Sequence, residues 1–269
     1  MLKTEMRNQN TTHISEMSTI DMMRTIQKEN LNAALAIESE LESIAKAVDG
    51  ISERMNRGGR LFYIGCGTSG RLGVLDASEC PPTYGVPKDL VIGIIAGGDH
   101  ALRNAIEGAE DNAEMGAEDI SKFDINEKDS VVGISVAGGA RYVVGALTRA
   151  RQVGALTVAL TSNEDTPIEK ISDIAIHPDT GAEVITGSTR MKAGTAHKMI
   201  LNMISTSVMI RQGHVYENLM INLRPSNVKL EDRMVRIVRD ILDIEYDQAK
   251  KLLDDNDFVI KKAIAAYKG

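Results

Sequence analysis

From Ser18 onward, apolar side chains return every three or four positions, at Leu31, Leu35, Leu41, Ile44, Ala45 and Val48. That is the period of helices with one buried face. Ser18-Thr19-Ile20-Asp21 opens the pattern with a capping hydroxyl and an acidic third position. Gly58-Gly59 closes it with residues suited to a left-handed cap. Two helices are therefore predicted before residue 58, preceded by an arm (1–16) without a period. Beyond Arg60 the period changes. Short runs rich in β-branched residues follow at Leu61 to Ile64, Leu90 to Ile95, Val131 to Val136 and Leu156 to Leu160, with a weaker one at Ile174 to Ile176. Helical stretches separate them, near 70–79, 100–122, 141–153 and 167–171. Strands that are almost wholly apolar and alternate with helices imply a parallel sheet covered on both faces. Residues 190–212 read as one long buried helix, its methionines filling core. Past Pro225 the chain turns charged, with short amphipathic segments at 229–241, 245–254 and 257–267. The expected organisation is an N-terminal arm with helices (1–57), an α/β domain (58–224) and a small helical C-terminal region (225–269).

Charge narrows the partners. The net charge is −7 and Lys/Arg runs never exceed two, so the concentrated basic surface that nucleic acid needs is missing. Aromatic residues make up 3%, with no tryptophan, which argues against a platform for stacking bases. A small anion is still allowed, because a helix amino terminus and one or two cations make a local positive site. No apolar run is long enough to span a membrane and the first ten residues are polar. Cys66 and Cys80 form neither a disulfide framework nor a zinc spacing. A cytoplasmic protein is expected.

Three loops carry candidate chemistry. Gly65-Cys66-Gly67-Thr68-Ser69-Gly70-Arg71 joins a strand to a helix. Its glycines let a ligand approach the backbone, its hydroxyls donate, and the helix start is a positive dipole end. It matches GxGxxG, yet no acidic ribose ligand ends a second strand about 20 residues on, so a dinucleotide is not indicated. Thr186-Gly187-Ser188-Thr189-Arg190-Met191-Lys192 puts three hydroxyls and two cations just before the long helix. A cap needs only one such hydroxyl, so an anion site is favoured. Ser135-Val136-Ala137-Gly138-Gly139-Ala140 offers one hydroxyl and reads equally well as a plain turn.

Carboxylates near these loops supply candidate acid and base. Glu79 precedes Pro81-Pro82, which are expected to end its helix there. Glu107 and Glu110 lie among small residues. Each carboxylate alone reads most simply as a surface group. Two held in different environments can divide acid and base duties for proton abstraction beside a carbonyl. The five histidines show no metal-ligand spacing; His197 on the long helix is expected to be packed or partner-facing. No neighbour in sequence activates Cys66 as a nucleophile.

The blocks GCGTSGRLGVLDASECPPTYG (65–85), IEGAEDN (106–112) and GAEVITGSTRMKAGTAHKMILNM (181–203) resemble the N-acetylmuramic acid 6-phosphate etherases of the sugar isomerase (SIS) superfamily. The glucokinase regulatory protein shares the SIS domain more distantly. The resemblance, running from Thr4 to the carboxyl terminus, implies a SIS-type three-layer α-β-α fold and a lyase. A base removes the C2 proton of the open-chain sugar, D-lactate leaves C3, and water adds to give N-acetylglucosamine 6-phosphate. It places the catalytic glutamates at Glu79 and Glu110. It puts phosphate and sugar contacts at Thr68, Ser69, Ser188 and Thr189, beside the candidates Gly67, Ser135, Arg190 and Lys192. It implies no metal or organic cofactor, and a homodimer with the site near the subunit interface.

Two departures matter. Where the family reads S-G-R-T-P-Y, this chain reads Ala137-Gly138-Gly139-Ala140-Arg141-Tyr142. Two phosphate-binding hydroxyls are thereby lost, each worth about 1.5–3 kcal/mol when charge-assisted; Arg141 is a candidate replacement. The C-terminal helical region is also shorter than the family's by about one small helical unit. An active etherase is expected; the alternative is a sugar-phosphate sensor of the same fold with weakened catalysis. A SIS isomerase or aldolase-like enzyme acting on another sugar phosphate is a third option.

Overall fold

The structure is a computed structural model that describes residues 2–223 and 228–268, so the junction expected at Pro225 lies outside the described residues. The chain forms two compact units: Met1–Ser78 with Asp89–Val208, and Glu79–Lys88 with Met209–Gly269.

In the first unit, the arm forms three short turns of 3-10 helix before α1 (Thr19–Leu35), where Ser18 accepts the Asp21 N–H as N-cap. Helix α2 (Leu41–Asn56) follows, its buried Ile44, Ala47, Val48, Ile51 and Met55 at helical spacing. Then come β1 (Leu61–Gly65), α3 (Gly67–Tyr84), β2 (Val91–Ile95), α4 (His100–Arg103), α5 (Ala113–Ser121), β3 (Ser130–Ile134), α6 (Arg141–Gln152), β4 (Leu156–Leu160), α7 (Pro167–Lys170), β5 (Ile174–Ile176) and α8 (Lys192–Arg211). The five strands are parallel, in the order β2-β1-β3-β4-β5. Phe62, Ile64 and Val131 pack with Ile120, Tyr142, Val143 and Leu147 into one core.

The strand order decides where a ligand can sit. From β1 the chain steps outward to β2, then returns to β3 on the other flank of β1. The loops after β1 and β3 thus diverge at the sheet's carboxyl end, leaving the crevice in which open α/β sheets bind ligands. Residues 65–71 and 135–141 are those two loops.

Two expected elements differ. The stretch 100–122 is not one helix: it breaks between α4 and α5, with Gly108 at φ +71 and Asn112 capping α5 through Met115 N–H at 2.9 Å. Glu107 and Glu110 therefore lie on a loop. Helix α3 does not stop before Pro81-Pro82 but runs to Tyr84. Proline's fixed φ is itself helical; what the pair removes is hydrogen bonding to the carbonyls of Ala77 and Ser78. The helix closes one turn later, where Gly85 (φ +64) donates to Pro81 O at 2.9 Å.

In the second unit, β6 (Val215–Tyr216) and β7 (Leu219–Met220) form a small hairpin ahead of α9 (Val228–Leu242), α10 (Tyr246–Asp254) and α11 (Ile260–Lys268). Met234, Val235, Val238, Ala249, Leu253, Ile260 and Ala263 make its core. Asn222 Nδ2 donates to Tyr84 O at 2.7 Å. Among the described residues no helix is long and apolar enough to cross a membrane.

Candidate functional site

The loop after β1 keeps its donors free. Gly67 takes φ +52, with open space where a Cβ would stand. Gly70 N–H closes the first turn on Cys66 O at 3.2 Å. Among the described residues, the N–H groups of Gly67, Thr68 and Ser69 and the hydroxyls of Thr68 and Ser69 have no hydrogen-bond partner in the protein. The first turn of an 18-residue helix thus presents backbone donors and two hydroxyls together, which suits a phosphate.

The start of α8 is built differently. Glu183, wholly buried, accepts Lys192 N–H and Ala193 N–H, each at 3.0 Å. Gly194 N–H and Thr195 N–H go to Thr189 O and Met191 O. All four leading N–H groups are therefore occupied, and a carboxylate of the chain already sits on the dipole end. Nothing in the sequence signals this, because the cap reaches across nine residues of irregular loop. Lys192, expected to face a ligand, is buried and donates from Nζ to Glu29 Oε2 at 2.6 Å and Ala182 O at 2.9 Å. Its charge is committed to holding α1 and the arm, since Glu29 also accepts from Asn8 and Asn10.

The hydroxyls of the 186–192 loop nevertheless adjoin the first loop. A Cβ placed on Gly194 would lie 3.6 Å from Thr68 Cγ2 and 3.4 Å from Thr189 O. Ser188 and Thr189 are half-buried, their hydroxyls unpartnered among the described residues, and Arg190 is exposed. The structure thus brings Thr68, Thr189 and the loop containing Ser188 together.

After β3, Ser135 is buried with its N–H on Leu160 O and its hydroxyl unpartnered among the described residues. The turn is tied down by Gly138 (φ +68), whose carbonyl accepts Ile168 N–H at 3.2 Å. Ala140 stands at the N-cap of α6 without a capping side chain, and Arg141 is exposed.

A cavity of about 360 Å³ opens between the loops after β1 and β2, with Cys66, Gly67, Arg71, Asn104, Glu107 and Glu110 on its wall. Arg71 anchors it, donating from Nε to Leu102 O at 2.9 Å and from Nη2 to Ala101 O at 2.7 Å. The sequence displayed Arg71 in the glycine loop without marking it as functional. Burial pushes the Cys66 thiol up to about 12, and the charges of Glu110 and Asp111 add to this. Cys66 is therefore a neutral thiol rather than a nucleophile. His197 is buried with Nε2 3.0 Å from Ser162 Oγ, and burial lowers it to about 4, so it is neutral and structural. Glu79 is exposed late in α3 and belongs to the second unit.

Comparison with known proteins supplies the rest. The family described as glucokinase regulatory protein N-terminal SIS domain matches residues 43–151. A protein of Caldanaerobacter subterraneus subsp. tengcongensis named N-acetylmuramic acid 6-phosphate etherase is 52% identical over 268 residues, covering 100% of this chain and 88% of its own. One of the same name from Clostridium beijerinckii is 52% identical over 263 residues, covering 98% of this chain and 86% of its own. In fold, the chain is similar to a phosphoheptose isomerase from Francisella tularensis, with a TM-score of 0.55 at 16% identity over 71% of this chain and 98% of that one. A phosphoheptose isomerase from Neisseria gonorrhoeae gives 0.54 at 17%, with the same coverage.

Proposed function

This chain belongs to the N-acetylmuramic acid 6-phosphate etherase family, and we infer that it is a carbon–oxygen lyase releasing D-lactate from N-acetylmuramic acid 6-phosphate. The observation that carries the reading is the free donor set at the start of α3. Among the described residues, Gly67, Thr68 and Ser69 have unpaired N–H groups, and Thr68 and Ser69 unpaired hydroxyls, in the crevice of a parallel sheet. The phosphate sits there rather than on α8, whose N-terminus Glu183 already fills. Ser188 and Thr189, adjoining Thr68, take sugar hydroxyls, and Ser135 closes the cradle from the β3 side. Arg190 and Arg141, both exposed, are the further cations this reading draws on.

Glu79 and Glu110 do the chemistry in this reading. One carboxylate takes the proton from C2 of the open-chain sugar. Electrons move into the C2–C3 bond, the C3–O bond breaks, and the departing lactate oxygen takes a proton from the partner acid. Water then adds at C3 and C2 is reprotonated, giving N-acetylglucosamine 6-phosphate. In this reading the two carboxyls divide the acid and base duties between them. No cofactor is needed for these steps. The enzyme works as a homodimer, a reading supported by exposed Ile20, Met23, Leu31 and Leu35 along one face of α1.

Incubating the protein with N-acetylmuramic acid 6-phosphate and assaying D-lactate tests the function. Release confirms the lyase. Tight binding of the sugar phosphate without release would instead support a sensor, the reading that Ala137 and Ala140 favour.

A further inference from the structure

We propose that Arg71 binds the carboxylate of the lactyl group, making the 360 Å³ cavity beside it the pocket of the leaving group. The proposal rests on the etherase reading above and adds a specificity residue to it.

Three observations converge on Arg71. Its guanidinium is fixed in plane by backbone carbonyls only: Nε on Leu102 O, Nη2 on Ala101 O, and a longer 3.3 Å contact from Nη2 to Asn104 O. Carbonyls orient a cation without neutralising it. Among the described residues no carboxylate pairs with Arg71, and Nη1 has no hydrogen-bond partner. Second, among the described residues Arg71 is the only cation on the cavity wall, which also carries Glu107 and Glu110. An anionic group enters such a space only where a cation answers those carboxylates. Third, the same wall holds Glu110, the carboxylate read as acid or base, and Gly67, at the start of the phosphate cradle. A group bound by Arg71 thus shares a cavity with the proposed catalytic carboxylate and with the start of the cradle.

Chemistry selects the ligand. The substrate carries two anions, a phosphate on C6 and a carboxylate on the ether at C3. The phosphate is answered by the first turn of α3, which leaves the carboxylate for the one preorganised cation of the neighbouring cavity. A guanidinium held by its Nε and Nη2 edges presents Nη1 in a fixed direction, so little ordering is needed on binding. The carboxylate so held orients the C3–O bond for departure, and it distinguishes the substrate from the product, which keeps the phosphate and lacks the lactyl group.

The test uses the full-length protein with N-acetylmuramic acid 6-phosphate and its analogue in which the lactyl carboxylate is a carboxamide. Wild type is expected to prefer the carboxylate by about 10- to 100-fold in kcat/KM, the range of one charge-assisted hydrogen bond. Arg71→Gln brings the preference close to one, Arg71→Lys leaves it between, and neither changes the Kd of N-acetylglucosamine 6-phosphate. Wild type indifferent to the carboxylate overturns the proposal without any variant. So does an unchanged preference in Arg71→Gln, or an equal loss of N-acetylglucosamine 6-phosphate binding, which would give Arg71 to the phosphate. If wild type cleaves neither compound, the etherase reading falls separately, and the Kd ratio of the two ligands in wild type and Arg71→Gln still decides the carboxylate site.

Discussion

The backbone N–H of Tyr142 donates to the carbonyl of Glu110 at 2.9 Å, so the first turn of α6 holds the loop that carries the proposed catalytic carboxylate. The two helices that frame this contact meet backbone to backbone. A Cβ on Gly116 of α5 would overlap the Tyr142 carbonyl, and one on Gly145 of α6 would overlap the carbonyl of Ala113. Tyr142 adds a bond from its hydroxyl to Asp119 Oδ2 at 2.7 Å. Gly145→Ala is therefore expected to push α5 away and shift Glu110 with it. Overpacking of this kind costs about 1–3 kcal/mol. Thermal unfolding should show that loss, and D-lactate assays should show kcat falling with little change in KM. Unaltered stability would mean that the helices separate freely.

The two glutamates should separate chemistry from folding. Both Glu79 and Glu110 are exposed, so Glu→Gln at either position should leave the unfolding midpoint within the small range of surface changes. Turnover should fall by about 10²–10⁴, the usual contribution of a positioned acid or base. Wild-type turnover in both variants would remove them from the mechanism. Loss in only one would leave the other as a surface carboxylate.

Ala137 and Ala140 permit a gain of function. Restoring Ser and Thr there supplies two hydroxyls to an anion, each worth about 1.5–3 kcal/mol if charge-assisted, so the KM of the double variant should drop. Ala140 also stands at the uncapped N-cap of α6, where a Thr adds about 1 kcal/mol of stability. The two effects are read separately, by steady-state kinetics and by thermal unfolding. A stability gain with unchanged KM would show that the hydroxyl caps the helix and does not reach the phosphate.

Local patterns made most of the fold legible. The alternation of apolar runs with helical stretches foretold a parallel sheet, and the long α8 and the three C-terminal helices fell close to their expected bounds. What failed were the places where a long-range contact overrides local preference. The stretch 100–122 has helical composition throughout, but Arg71 draws the carbonyls of Ala101 and Leu102 toward itself and Asn112 starts a new helix. Hydroxyl and glycine clusters marked the candidate loops, since those residue types announce free donors. They could not rank the loops. That required seeing Glu183 already seated on α8, and Lys192 turned inward to Glu29. Both partners are distant in sequence and carry no spacing signal.

Lys192 and Glu29 should behave as a buried couple. Burial by itself raises the Glu29 carboxyl, but hydrogen bonds from Lys192, Asn10 and Asn8 outweigh it and hold the group below the ordinary 4.5. A carboxyl depressed in the folded state contributes stability above its unfolded value, and this is lost as pH falls through the folded one. The arm is therefore expected to loosen below about pH 4.5, seen as protease cleavage within residues 1–17. Lys192→Met leaves Glu29 buried without its cation, at a cost of about 3–5 kcal/mol. Adding Glu29→Met should recover part of that loss. A double variant no more stable than Lys192→Met would mean that the pair is not coupled.

His197 predicts a second pH dependence, in a window above that of Glu29. Burial lowers its imidazole from 6.5 to about 4 in the folded protein, while the unfolded chain titrates near 6.5. Between these values the unfolded state binds the extra proton, so stability rises with pH across that window and is fully present above it. Acidification from pH 6.5 toward 4 should therefore weaken the fold well before most carboxylates titrate. The side chain is wholly buried and its Nε2 lies on Ser162 Oγ, so Gln is the replacement that best preserves a polar partner for that hydroxyl. His197→Gln should lower stability at neutral pH and flatten the slope between pH 4 and 6.5 in urea titrations taken at several pH values. If the slope persists in the variant, other groups set it and the imidazole does not titrate on unfolding as proposed.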